Sequence, residues 1–371
     1  MVFRRACDRW SPGSPGCGCK PCWHSLSQRM TSLNRADVSD ARGSFVALKG
    51  HFMKLVARLL GRLLSNIATL VILSAISFAL LNFKGPQEIA MSSLGREASA
   101  DQIEAFVKDH HLGDPTALRF LSWSLGVING DFGTTIVTGQ PVIDIIAPRV
   151  TRSIILATVG ALIGIASGVL IGTLLARRFG SPTDLRLTSA LLLLASVPEF
   201  LVALMIYSVF SVWLEWIPAQ SSFAFAFGNS SDRAVAYILP ALSIALIILP
   251  HISRVTRATM SEAFKSQYVM SAKLRGLPEH KVVWQHALIN CATPIMGAVG
   301  LSLVYAFSGA VAIEYLFNFP GVGALLVESI GSGELFTTMS LLLVFGVLVA
   351  FTNIAVDVGT YFLNPRVRFS K

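Results

Sequence analysis

Three ionisable residues interrupt stretches of the sequence that are otherwise long and apolar. Glu199 follows Pro198 inside one stretch, His251 lies near the end of another, and Asp357 is the charged residue of the last. A charge in a nonpolar medium costs about 3 kcal/mol, so such a residue needs a partner or a function. Acid–base or nucleophilic catalysis requires two such groups close together. The three residues belong to separate stretches, so we predict no catalytic site, no cofactor and no enzymatic activity.

Metal-ligand chemistry is the other possibility, because cysteines are concentrated near the N-terminus. Thiolates at short spacing can bind zinc. The surrounding Ser-Pro-Gly-Ser-Pro-Gly run is of low complexity, and no second Cys/His pair follows, so we predict no metal site. We expect residues 1–52 to form a poorly ordered extension, and the alternative hypothesis is that translation starts at Met53 and these residues are not part of the mature protein. The N-terminal residues considered as possible metal ligands are Cys7, Cys17, Cys19, Cys22 and His24.

The composition determines the environment of these residues. Of the 371 residues, 53% are hydrophobic and only 14% are charged, and the mean hydropathy is +0.63. A soluble chain carries about 25% charged residues. A bilayer core about 30 Å thick requires about 20 apolar residues per helix, and lipid permits only helices or closed barrels. We therefore predict an all-α membrane protein with six transmembrane helices: Leu63–Phe83, Ser153–Ala176, Leu187–Leu214, Ala234–Ser253, Ala287–Ile313 and Leu335–Phe362.

The placement of the basic residues predicts the orientation of the chain. Of the 30 Lys and Arg residues, 23 lie on the side that carries both termini, and 7 lie on the opposite side. Because basic residues are retained in the cytoplasm, both termini and the loop at 254–286 are predicted to be cytoplasmic, with segment 84–150 outside. This asymmetry accounts for the net charge of +9, so we do not expect nucleic-acid binding.

Two local patterns describe how helices form and pack. Ser99 and Gln102 resemble a capping box, which predicts a helix within a small extracytoplasmic capping subdomain. Gly160, Gly164 and Gly168 recur at helix-packing spacing in the second span. Such a stripe permits close helix contact within the chain or with a second subunit, and the sequence does not distinguish these cases.

The most informative segment is the cytoplasmic loop at 259–290. It is amphipathic, is interrupted at Gly276, and resumes at Pro278, which suits the first turn of a helix. Glycine tolerates positive φ and lets another backbone approach. We predict two short helices that meet at Gly276 and form a docking edge. An ordinary basic helix on the membrane surface is the alternative, since Lys273, Arg275 and Lys281 are basic.

The loop contains the order Tyr268-Val269-x-x-Ala272-x-x-x-Gly276, followed by His286-Ala287-Leu288-x-Asn290 and Pro294. This order resembles the loop of binding-protein-dependent ATP-binding-cassette (ABC) transporter permeases, in particular the dipeptide/oligopeptide (and nickel) subclass. Met270-Ser271-Ala272 departs from the general Glu-Ala-Ala form. The resemblance extends from Met53 to the C-terminus. Further matching segments follow in order: Gly130–Gly133, Thr138–Val142, Ser196–Phe200, Arg254–Met260, Val311–Glu314, Phe319–Gly323, and Asp357 before Asn364-Pro365-Arg366.

The resemblance implies a type I ABC importer permease fold in a bacterial inner membrane. ATP would be hydrolysed by a separate subunit, and the sequence contains no Gly-x-x-x-x-Gly-Lys-Ser/Thr motif. The implied partners are a second permease subunit, ATP-binding subunits, a periplasmic solute-binding protein, a peptide substrate and the lipid bilayer. The implied divisions are 1–52, the first helix at 53–83, the periplasmic segment at 84–150, the permease core at 151–362 with the docking loop at 259–290, and the tail at 363–371.

The resemblance also assigns roles to particular residues. Gly276 would be the bend, and Ala272 and Leu274 would pack in a groove of the ATPase. The full set of expected docking residues is Tyr268, Ala272, Leu274, Arg275, Gly276 and His286. Pro198 favours a kink, and Glu199 beside it would line the pathway and contact a peptide ammonium group, or else would be buried against a neighbouring helix or protonated. Glu314, at the outer end of the fifth span, would lie at a gate or at an interface.

Alternative functions remain within and outside this class. The same transporter type could carry nickel, an opine or another small solute, because the motifs lie at the coupling loop rather than at the ligand. A secondary transporter would show inverted repeats and paired interrupted helices, which the sequence lacks.

Overall fold

A computed structural model describes residues 61, 63–80, 83, 85–94, 98–109, 112–135, 138–217 and 221–363. The predicted N-terminal extension, its cysteines and the tail from residue 364 lie outside the described residues, as does the side chain of Asp357. The part that is described is predominantly helical, as the sequence predicts.

Among the described residues, five helices are long and apolar enough to cross a membrane, and a bent helix pair, counted as one span, corresponds to the third of the six predicted spans. The uninterrupted spans are α1 (Leu63–Leu80), α5 (Val142–Arg177), α10 (Ile238–Phe264), α12 (Ala292–Leu316) and α14 (Leu335–Leu363). The bent pair is α6 (Pro182–Ser196) and α7 (Glu199–Tyr207, continued as a π-helical turn over Ser208–Trp213). The shorter helices are α2 (Pro86–Leu94), α3 (Ala100–Asp109), α4 (Thr116–Ile128), α8 (Ser221–Phe227), α9 (Ser230–Ala236), α11 (Gln267–Leu274) and α13 (Val322–Ser332).

Two of the spanning helices are longer than predicted. Helix α5 has 36 residues and begins at Val142 rather than at Ser153. At about 1.5 Å per residue it is about 54 Å long, well beyond the bilayer core of about 30 Å. Its first turns contain the charged residues Asp144, Arg149 and Arg152, so the apolar stretch in the sequence begins only after them although they are helical. Likewise, α10 continues through the basic residues after Ser253 to Phe264.

The third predicted span is broken rather than merely kinked. The axes of α6 and α7 differ by 102°. Val197 adopts an extended conformation (φ −82°, ψ 130°), as residues before a proline usually do, and Pro198 precedes the first residue of α7. The missing N–H of Pro198 and its ring end α6 and allow a new helix to start in another direction. The predicted disruption at Pro198 is thus present and places Glu199 in the first turn of α7.

The glycine stripe of α5 packs against α10 of the same chain. A methyl group on Gly160 would lie 2.7 Å from Cβ of Ile244, and one on Gly164 would lie 2.8 Å from the carbonyl oxygen of Ala245. The stripe continues to Gly172, where the added carbon would lie 2.6 Å from the carbonyl oxygen of Ser253. The absence of side chains therefore allows the two helices into near backbone contact, and α5 and α10 form the central pair of the core.

The segment before α5 packs on the ends of other helices. Ser99 and Gln102 form the predicted capping box: the Ser99 N–H donates to Oε1 of Gln102 at 2.9 Å, and the Gln102 N–H donates to Oγ of Ser99 at 3.4 Å. Trp123 of α4 is buried in a cluster with Phe78 of α1 and Leu335 of α14. This segment is thereby held close to α14 as well as to the helix that precedes it.

Candidate functional site

The 259–290 loop consists of short helical pieces around one sharp bend. Helix α10 ends at Phe264, and α11 begins two residues after Lys265. After the bend, one helical turn over Glu279–Lys281 continues as a π-helical segment, Val282–Ala287, and a last turn, Leu288–Asn290. Val269, Val282 and Val283 are at most 3% exposed, so one side of the loop packs into the core.

Gly276 forms the bend through a Schellman motif. Its φ is +75°, in the left-handed region. The Gly276 N–H donates to the Lys273 carbonyl at 2.9 Å, and the Leu277 N–H donates to the Ala272 carbonyl at 3.4 Å, which is the bonding pattern of that motif. Apart from its two chain neighbours, no described residue has an atom within 4 Å of the position a methyl group would take on Gly276. Glycine is therefore required here by backbone conformation and not by crowding from the part of the chain that the structure describes.

The predicted docking residues differ in accessibility. Leu274 is 81% exposed and Tyr268 is 43% exposed, while Arg275 is exposed and His286 is half-buried. Ala272 is only 2% exposed and packs into this chain's own core, so its methyl group supports the loop from inside. Met270, 58% exposed, belongs to the same accessible surface, as does Trp284 at 45%. The sequence analysis did not select these two, although Met270 precedes Leu274 by four residues and thus shares its helix face.

Two ion pairs connect the loop region to neighbouring helices. Arg177, at the end of α5, contacts Glu279 at 2.7 Å, and both side chains are largely exposed. Asp184 of α6 is 1% exposed and accepts two hydrogen bonds from Arg257 of α10, at 2.6 Å and 2.7 Å. The Arg257 guanidinium also lies 4.8 Å from the ring centre of Phe179. A bidentate contact of this kind fixes distance and orientation together, so the turn between α5 and α6 is clamped to α10.

Glu199, which follows Pro198, lines a cavity of about 240 Å³. Helix α10 contributes His251 and Arg254 to the lining, and α12 contributes Ser302. Glu199 packs closely on Gly309 of α12, where any side chain would collide with its carboxylate. The same cavity is thus lined by a carboxylate and by two basic side chains that are more than fifty positions away in the sequence. A pathway role for Pro198 and Glu199 stays a prediction.

Glu314 lies in a separate, fully buried network. It is 1% exposed, and its carboxylate accepts hydrogen bonds from Ser153 Oγ at 2.6 Å, the Gly323 N–H at 2.6 Å and the Ala324 N–H at 3.3 Å. The two amides belong to the first turn of α13, where a negative charge is favoured. Gly321 has no room for a side chain because the carboxylate occupies that position. Glu314 therefore joins α5, α12 and α13, and a gate or interface role stays a prediction.

Comparisons with known proteins cover nearly the whole described region. Residues 168–369 match the family model described as "Binding-protein-dependent transport system inner membrane component". Residues 55–157 match the model of the N-terminal part of such membrane components.

Three curated relatives are similar along almost their entire length. The probable peptide ABC transporter permease protein y4tP of Sinorhizobium fredii is 28% identical over 84% of this chain and 99% of its own. The oligopeptide transport system permease protein AppB of Bacillus subtilis is 28% identical over 85% of this chain and 100% of its own. The glutathione transport system permease protein GsiC of Pectobacterium atrosepticum is 30% identical over 83% of this chain and 97% of its own.

Proposed function

Since the chain belongs to the family of binding-protein-dependent transport system inner membrane components, we propose that it is a permease subunit of an ABC importer and forms half of a translocation pathway for peptides. Relatives named for peptide, oligopeptide and glutathione transport support the substrate class. Nickel is less well supported, because the described residues contain no group of three His, Cys, Asp or Glu side chains that could bind a metal ion.

The observation that carries this proposal is the bend at Gly276 and its accessible surface. ATP hydrolysis is assigned to separate ATP-binding subunits, because the sequence has no phosphate-binding loop. Leu274, Tyr268, Met270 and Trp284 present apolar area that nothing in the described chain covers, which suits a groove on such a subunit. The open space around Gly276 lets a partner backbone approach closely.

The contacts of the loop suggest how movement of an ATPase would reach the spans. The Schellman motif and the buried valines hold the loop as one rigid piece. The Arg177–Glu279 pair joins it to α5, and the Asp184–Arg257 pair joins α6 to α10. A displacement of the loop would therefore move α5, α6 and α10 together, and these helices border the break at Pro198 and its cavity.

The remaining parts of the proposal concern partners and placement. A second permease subunit completes the pathway, and a periplasmic solute-binding protein delivers the peptide. The chain spans the bacterial inner membrane with both termini in the cytoplasm, because that side carries most of the Lys and Arg residues.

Reconstitution tests the transport function directly. The proteoliposomes contain this chain, its second permease and the ATP-binding subunits, and the binding protein is added outside. We expect them to accumulate radiolabelled tri-alanine only when ATP is enclosed inside the vesicles. Glutathione and ⁶³Ni²⁺ are assayed in parallel as competing substrates. Uptake that follows a proton gradient and ignores ATP would contradict the proposal.

Docking is tested separately by co-purification. The Leu274→Asp variant should lose the ATP-binding subunits, because a charge would enter an apolar groove. Leu118→Asp is the matched control, since Leu118 is 61% exposed on α4, far from the loop along the chain. Retention of the ATP-binding subunits by Leu274→Asp would remove the basis for the docking assignment.

A further inference from the structure

Glu199 has a carboxylate with no partner in the described part of the chain. It is half-buried, and the neighbouring surface of Gly309 supplies no donor side chain. No described residue hydrogen-bonds to it or forms an ion pair with it. Its position in the first turn of α7 favours a negative charge, because the N-terminal end of a helix carries a partial positive charge. An intramembrane carboxylate without a structural partner is the usual mark of a ligand or transport site.

Basic groups also line this cavity. His251 and Arg254 are three residues apart on α10 and therefore lie on one face of that helix. Arg254 is exposed and forms no ion pair with any described residue. Arg257, one turn further along, is different because Asp184 already occupies its guanidinium. The cavity is thus lined by a carboxyl group and an arginine, neither of which is paired with a described residue.

Two buried hydroxyl groups line the same cavity. Ser302 of α12 is 2% exposed and Ser253 of α10 is 0% exposed, and both line the cavity. Within the described residues neither Oγ atom has a hydrogen-bond partner. Buried hydroxyl groups are normally hydrogen-bonded, so these two are suited to the N–H and C=O groups of a ligand.

We propose that this cavity is a peptide-binding subsite in which Glu199 binds the α-ammonium group and His251 with Arg254 binds the α-carboxylate. The inference rests on the proposed function and adds a location and a mode of binding to it. An anionic lipid headgroup would satisfy Arg254 but would be repelled by Glu199. A divalent cation would satisfy Glu199 but would be repelled by Arg254. A zwitterionic peptide can pair with both Glu199 and Arg254, and its backbone can form hydrogen bonds with the hydroxyl groups.

The size of the cavity restricts the ligand further. Its volume of about 240 Å³ is slightly below the range of about 300–1,000 Å³ that is usual for small-molecule sites. It therefore suits a short peptide whose two termini are close together. Longer peptides would place only one terminus here at a time.

The test compares peptides that lack one terminal charge. Import of tri-alanine, N-acetyl-tri-alanine and tri-alanine amide is measured in the reconstituted complex for wild type, Glu199→Gln and Arg254→Gln. We expect Glu199→Gln to lower tri-alanine import at least tenfold and to leave the N-acetyl peptide unchanged. Arg254→Gln should lower tri-alanine import and leave the amide unchanged. Because each variant is compared with wild type on the same peptide, any selectivity of the binding protein cancels.

Matched controls and a second measurement keep the outcomes distinct. Glu215→Gln and Arg186→Gln remove exposed charges that do not line the cavity, and they should leave import of all three peptides unchanged. An equal loss for all three peptides in Glu199→Gln, or no loss, overturns the subsite while leaving the import function intact. Failure of the wild-type complex to import tri-alanine with ATP overturns the proposed function itself. If the variants do not assemble, a diazirine-bearing tri-alanine is photo-crosslinked to the wild-type complex, and the absence of crosslinks to the cavity-lining residues of α5, α6, α7, α10 and α12 overturns the subsite.

Discussion

The contact between α5 and α10 allows a sharp prediction for Gly164→Ala. The new methyl carbon would lie 2.8 Å from the carbonyl oxygen of Ala245 and 3.0 Å from its Cα, whereas ordinary contacts begin at 3.4 Å. Relief requires the two helices to separate by about 0.6 Å, the difference between 2.8 Å and 3.4 Å, because the opposing atoms belong to the backbone and cannot rotate away. Overpacking of this kind costs about 1–3 kcal/mol. The intrinsic helix preference of alanine over glycine offsets about 1 kcal/mol of that cost.

The net expectation for Gly164→Ala is therefore a loss of up to about 2 kcal/mol in the free energy of unfolding. Gly297→Ala in α12 is the control, because no atom lies within 4 Å of its added methyl group. That substitution keeps only the helix preference and should stabilise the subunit by up to about 1 kcal/mol. Titration of the purified subunit with SDS in mixed micelles, followed by circular dichroism, measures both. Equal stability of the two variants would refute the close-packed seam.

Three further predictions concern single residues. Glu314→Ala should lower the free energy of unfolding by about 3–5 kcal/mol, because it leaves a buried hydroxyl and two amide groups without an acceptor. Thermal unfolding measures this loss, and a variant as stable as wild type would disprove the network. Asp184→Asn should lower the free energy of unfolding by about 3 kcal/mol, because it leaves Arg257 without its carboxylate. Combining it with Arg257→Met should restore part of the lost stability. A double variant no more stable than Asp184→Asn alone would argue against the pair. Gly276→Val should insert normally but abolish substrate-stimulated ATP hydrolysis by the complex, because β-branched residues resist positive φ, while Gly276→Asn should retain most of it. Full stimulation in the valine variant would show that the bend is not required for coupling.

Features that depend on neighbouring residues in the chain could be predicted from the sequence. The six spans follow from the length of apolar stretches, and the capping box at Ser99 and Gln102 is a pattern of four residues. The disruption at Pro198 and the bend at Gly276 also follow from the backbone preferences of single residues. Each of these rests on local sterics or hydrogen bonding, which neighbouring residues determine by themselves.

Features that depend on contacts between distant residues were decided only by the tertiary structure. The glycine stripe could have faced a second subunit, and its packing on α10 is decided by the positions of Ala245 and Ile248. Ala272 and Leu274 are two residues apart in one short helix, yet one is buried and the other is exposed, because the core lies on one side only. Glu314 meets Ser153 across 161 positions, and Glu199 shares a cavity with Arg254. The sequence alone determined which residues are expensive to bury in a membrane. The tertiary structure decided which of them have a partner among the described residues, because that depends on how the helices cross.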